Sequence, residues 1–155
     1  MARLHSYATR VTWTGNLGTG TSHFRAYSRA HEVAAGDLPV ILGSADPTFR
    51  GDASRWNPEQ LLLAALSQCH MMSYLHFCAV NGVVVTSYAD EATGTMATAG
   101  DSGQFTEAVV HPRVTVSEES MVAAAIELHE EAHRACFIAN SVNFPVRHEP
   151  TVTVG

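Results

Sequence analysis

The stretch from Trp56 to Gly82 constrains the fold more than any other part of this sequence. It opens Asn57-Pro58-Glu59-Gln60 and runs on through Leu61-Leu62-Leu63-Ala64-Ala65-Leu66. Asn57 is a preferred N-cap, Pro58 suits the first helical position, and Gln60 stands where it can close a capping box. Gly82, after Asn81, supplies a left-handed stop. The pattern predicts one helix over 57–81. Because Leu61 to Leu66 offers no polar side, most of its circumference is expected to be covered by protein. Cys69 lies in its middle, and Cys136 lies near the end of a second predicted helix.

The 155 residues suffice for one domain, 1–155, with a real core and no need of staples. Charged residues make up 15% against 46% hydrophobic, and the net charge is −6, with no basic patch to hold nucleic acid. Such sparse charge points to some surface buried against another subunit. No apolar run is long enough to span a bilayer. Met1-Ala2-Arg3-Leu4-His5-Ser6 has no apolar leader region, so a cytoplasmic chain is expected. Thiols are kept reduced there, and a cysteine pair is then redox-active or metal-binding more often than structural.

Along the chain, residues 7–14 alternate as a strand, 15–20 form a turn, and 22–28 return as a second strand. A short strand at 38–42 precedes a Gly-, Ser- and Asp-rich loop over 43–55, which carries Arg50 and Arg55. After the long helix come strands at 83–88, 93–98, 105–110 and 114–116. A second helix, capped by Ser117, runs to about Asn140, and one strand over 144–154 closes the chain. This order is α+β, with no internal repeat or linker.

A cysteine on an apolar helix is most often a small core residue, and Cys78 is left so. Cys69 sits too far from either helix end for the dipole to lower its pKa, so a working thiolate there needs a cation. Arg50, Arg55 and Arg25 are the candidates, and Glu59 is placed to hold one of them. Ten residues separate Glu59 from Cys69, about 15 Å along a straight helix. Either the helix breaks, or Glu59 of one subunit serves Cys69 of another; the second option also accounts for the all-round apolar helix.

Asn57-Pro58-Glu59-Gln60-Leu61 followed by Cys69, with Cys136 late in the next long helix, resembles the OsmC/Ohr family of osmotically inducible and organic hydroperoxide resistance proteins. The resemblance covers nearly the whole chain. It implies an intertwined homodimer, with active sites at the subunit interface, that reduces organic hydroperoxides. It implies no cofactor or metal, only an external dithiol or thiol as reductant. Cys69 would be the peroxidatic residue, Cys136 the resolving one, and Glu59 the carboxylate positioning the arginine. The turn over 15–20 contains no arginine, so the loop residue Arg50 is the choice by resemblance. The family often has proline after the second cysteine, where this chain has Phe137.

One motif competes. His129-Glu130-Glu131-Ala132-His133 matches H-E-x-x-H, which sets two histidines one turn apart, and Cys136 would continue their face at i+7. A zinc site of His129, His133 and Cys136, with Cys69 or Glu149 as fourth ligand, is the alternative, as hydrolase or zinc-binding protein. A family member that binds ligands without peroxidase activity is another. The remaining histidines, His70 and His148 among them, show no usable spacing.

Overall fold

The structure, a computed structural model, describes residues 3–155; Met1 and Ala2, part of the segment read for a leader, lie outside the described residues. The chain divides into two units, one up to Leu61 and one from Leu62 onward. The first holds an antiparallel sheet ordered β1 (Arg10–Trp13), β2 (His31–Ala34) and β3 (Ile41–Gly43). The strand expected over 22–28 is absent. That segment is a run of turns touching the sheet side through a single bridge, Asn16 to Tyr27. Asn16 Oδ1 takes the Gly18 and Gly20 amides at 2.9 and 3.0 Å, a local bonding pattern that competes with a ladder.

The loop after β3 is tightly built. Asp46 Oδ1 accepts from the Thr48 amide at 2.8 Å and starts a 3-10 turn over Pro47–Phe49. Arg50 then takes a left-handed backbone, φ 66°. Only glycine fits next: a Cβ on Gly51 would stand 1.5 Å from the Ala45 carbonyl oxygen. Helix α1 (Pro58–Val80) follows, with its capping box in place: the Gln60 amide donates to Asn57 Oδ1 at 2.8 Å, and the Asn57 amide to Gln60 Oε1 at 3.2 Å. At the far end Gly82 has φ 74°. The helix is unbroken between.

The second unit places β4 (Val85–Asp90), β5 (Thr93–Ala99), β6 (Ser102–Val110) and β7 (Pro112–Val116) before helix α2 (Val122–Ala135), and β8 (Val146–His148) and β9 (Thr151–Val154) after it. Its sheets run β4-β7-β9 and β5-β6-β8. The last strand of each is parallel to its neighbour and the rest are antiparallel. The single closing strand expected over 144–154 is thus two, parted at Glu149-Pro150, where proline has no amide to give a ladder. The α+β class stands.

Helix α2 is shorter than expected. Ser117 turns its hydroxyl to Met121 Sδ instead of capping, and a 3-10 turn over Glu119–Met121 precedes the helix. At the other end Cys136 leaves helical geometry with ψ 108°. The core joins Tyr74 and Cys78 of α1 to Val114 and Val116 of β7 and to Ala125, Leu128 and Ala132 of α2. α1 buries one stripe at four-residue spacing: Leu66, His70, Tyr74 and Cys78. Within one chain its other faces are not covered as expected, and Met72 is 58% exposed. Replacing Asn57 by Ala removes one half of the capping box, and urea unfolding is expected to show a loss of about 1 kcal/mol with an unchanged m-value.

Candidate active site

In the second unit the Cys69 and Cys136 thiols are neighbours, near enough that Cys69 helps to raise the Cys136 thiol, and neither is in a disulfide. Their surroundings differ. Cys69 is half-buried on α1, whereas Cys136 is 1% exposed at the C-terminal end of α2. Cys136 is held there by its backbone, whose amide donates to the His133 carbonyl at 3.3 Å, while its sulfur accepts from the Ala139 amide at 3.5 Å. Burial pushes the Cys136 thiol up to about 11, opposed by the Ala139 amide and reinforced by the neighbouring Cys69. Cys136 therefore stays protonated at neutral pH, and Cys69 is the sulfur a solute can meet. Cys78 is buried against Tyr74 with its thiol also raised, chiefly by desolvation, as expected of an inert core residue.

Beside the sulfurs stands a cluster that sequence spacing did not disclose. His70 Nε2 lies 3.0 Å from His129 Nδ1, with the rings nearly coplanar at 5°. Tyr74 stacks on His129 at 3.8 Å between centroids and gives its hydroxyl to the Ala125 carbonyl at 3.1 Å. His148 of β8 lies 5.7 Å from the His70 ring and 5.4 Å from that of His133, and its Nε2 is 3.3 Å from Glu130 Oε1. His70 and His129 are 3% and 0% exposed. Desolvation, aided by neighbouring imidazoles, lowers them to about 4 and about 3. His148 is lowered too, by burial, with Glu130 pulling it back. The signal was present in the sequence: His70 falls on the 66-70-74-78 stripe, and His129 on the inward stripe of Ala125, Leu128 and Ala132.

The H-E-x-x-H motif does not make a metal centre. His129 points into the core and is tied to His70, and α2 ends before Cys136, which therefore does not continue the histidine face. Among the described residues, no three His, Cys, Asp or Glu side chains are gathered as a metal requires.

The first unit holds a cavity of about 430 Å³ walled by Trp13, Tyr27, Phe49 and Pro58, into which Arg29, His31 and Glu59 also reach. The Arg29 guanidinium lies between two rings, 4.5 Å from the Phe24 centroid and 4.3 Å from that of Tyr27. Its Nη1 donates to the Phe24 and Tyr27 carbonyls at 3.1 and 2.9 Å, which fixes its direction. Glu59 Oε2 is buried without a hydrogen-bond partner among the described residues. Arg50, the choice by resemblance, does not line this cavity; its guanidinium lies 5.6 Å from the Phe24 ring. Arg55 faces Asp52 at 3.7 Å, and Arg25 is exposed.

Residues 51–151 match the family model of OsmC-like proteins. The structure is similar to an OsmC-like protein of unknown function from Vibrio cholerae, at 31% identity and TM-score 0.85, covering 96% of this chain and 100% of that one. It is also similar in fold to an organic hydroperoxide resistance protein from Elizabethkingia anophelis, at 16% identity and TM-score 0.70, covering 100% and 99%. Another of that name, from Legionella pneumophila, matches at 17% and 0.65, covering 99% of each chain. No curated protein matches.

The imidazole cluster makes stability depend on acid. His70 and His129 bind fewer protons folded than unfolded between their lowered values and the ordinary 6.5, so their neutral burial is fully tolerated above pH 6.5. Stability is expected to fall as pH drops from about 6.5 toward 4, by up to about 1.4 kcal/mol per pH unit for each ring. Urea midpoints at intervals across that range measure it.

Proposed function

This chain belongs to the OsmC-like protein family, and from that premise we propose that it is a cysteine peroxidase reducing organic hydroperoxides. The observation that carries the reading is the contact of two free thiols with unequal access to solvent: a half-buried Cys69 against a buried, protonated Cys136. A reaction needing one sulfur to meet substrate and a second to wait beside it requires this asymmetry.

The Cys69 thiolate attacks the terminal oxygen of the hydroperoxide. The O–O bond breaks, its electron pair leaves with the alkoxide, and a proton completes the alcohol. Cys69 is now a sulfenic acid. Cys136 sulfur displaces its hydroxyl, which departs as water with the Cys136 proton, and a disulfide remains. An external dithiol reduces that disulfide by exchange and takes the oxidation away as its own disulfide. No cofactor is needed, and a reducing cytoplasm suits the cycle.

Keeping Cys69 ionised falls to a guanidinium, for which Arg29, which lines one cavity with the unpartnered Glu59 oxygen, is the better candidate than Arg50. Because α1 is unbroken, Glu59 and Cys69 of one chain lie about 15 Å apart along it. We therefore assign the Arg29–Glu59 cavity of one copy to the Cys69 of a second copy, in a homodimer. The apolar walls of that cavity suit the organic part of the hydroperoxide.

Turnover of cumene hydroperoxide with excess dithiothreitol tests the reading. Cys69→Ser is expected to abolish it, and equal rates for parent and variant would overturn the peroxidase. Arg29→Met is expected to cost roughly 10- to 100-fold in kcat/KM, as for one lost charge-assisted contact, against a small effect of Arg50→Met. The reverse order would return the role to Arg50.

A further inference from the structure

The four imidazoles and the two thiols share their supports. His70 directly follows Cys69 on α1, the His133 carbonyl holds the Cys136 amide at the end of α2, and His148 brings β8 against both helices. We propose that the stack of His70, His129 and His148 is a proton-operated clamp on the thiol pair. Neutral, it holds the Cys69 turn of α1 against the Cys136 end of α2; charged, it lets them part. The use of the clamp rests on the peroxidase reading, since it would set the pH above which Cys136 resolves the Cys69 sulfenic acid.

The geometry is bistable by construction. The coplanar His70–His129 pair closes, at 3.0 Å, only while one of the two facing ring nitrogens keeps a lone pair to accept with, so the bond is lost once both rings are protonated. The His129 ring lies 6.2 Å from that of His148, and His133 is 5.4 Å from His148, so two charges in the stack repel across a poorly solvated interior. Around it the packed elements offer little compensation. α1 presents Cys69, Tyr74 and Cys78, α2 presents Cys136, and β4 presents Tyr88 and Asp90, whose carboxylate is already taken by the Ser67 hydroxyl and the His111 amide. A second carboxylate, Glu130, is exposed and reaches His148 on the outer side. Nothing negative faces His70 or His129. His129 Nε2 is buried with no partner among the described residues, so a proton arriving there has no acceptor to meet it.

The clamp is tested on the thiol contact itself, without relying on peroxidase activity. Diamide joins neighbouring thiols: one thiolate adds to its N=N bond, the second sulfur displaces it, and the azo group leaves as a hydrazine with two protons. The rate of Cys69–Cys136 disulfide formation is followed by quenched alkylation and mass spectrometry, from pH 8 down to the lowest pH at which far-ultraviolet circular dichroism is unchanged. A pair limited only by thiolate loses about tenfold per pH unit. The parent is expected to fall more steeply as the pH approaches the lowered His70 value of about 4, toward about a hundredfold per unit as a stack proton joins the thiol proton. His148→Gln, at the half-buried edge, and His129→Phe, which keeps a ring on Tyr74, are both expected to restore the tenfold slope. Superposition of parent and variants on one tenfold slope overturns the clamp. Consumption of cumene hydroperoxide at pH 7.5 is read separately. Its absence alongside a steep parental slope sinks the peroxidase and leaves the clamp; its presence with a shallow slope sinks the clamp alone.

Discussion

Tyr74 pins the two helices that carry the sulfurs. Its ring is wholly buried, its face lies on His129 of α2, and its hydroxyl is spent on the Ala125 carbonyl one turn earlier. Burying an aromatic ring here adds apolar area, a stacking contact and a satisfied polar end in one residue. The pin sits between Leu66 and Cys78 on the same stripe of α1, so it sets the rotation of that helix about its axis. With the rotation set, His70 meets His129 and the adjacent Cys69 meets Cys136. The position of the two neighbouring sulfurs thus follows from where a helix buries its stripe.

The chemistry divides along the same helix. Its first turn, in the first unit, offers a lone carboxylate oxygen to an apolar cavity with a stacked guanidinium. Its middle, in the second unit, offers a thiol to a thiol. On the proposed reading the two halves meet between copies, each chain lending one to the other. The uncovered Met72 and Leu75 leave apolar surface for that copy to bury.

Much of this was legible in the sequence. The capping box, the α1 limits and the glycine stop follow from local bonding and periodicity, and each stands within a residue or two of its expected place; the strand expected over 105–110 is there but begins at Ser102. What was misread depended on individual side-chain bonds that hydropathy periodicity does not report. Residues 22–28 alternate like a strand, yet Asn16 captures the turn before them. Ser117 has the chemistry of a cap, yet Met121 sulfur takes its hydroxyl. The cavity arginine was hidden because Arg29 carries no motif; only the aromatic rings of Phe24 and Tyr27, folded around it, mark it out. His129 shows how a motif misleads: H-E-x-x-H describes a face, and here the inward stripe of α2 claims half of it.

The central claim is that Cys69 and Cys136 act as one redox pair while Cys78 stands aside. Counting free thiols before and after one equivalent of cumene hydroperoxide, with mass-spectrometric mapping of the bridged peptide, tests it most directly. The account predicts that two of the three thiols disappear into a Cys69–Cys136 disulfide and return on adding dithiothreitol. Retention of all three, or a bridge that involves Cys78, would contradict it.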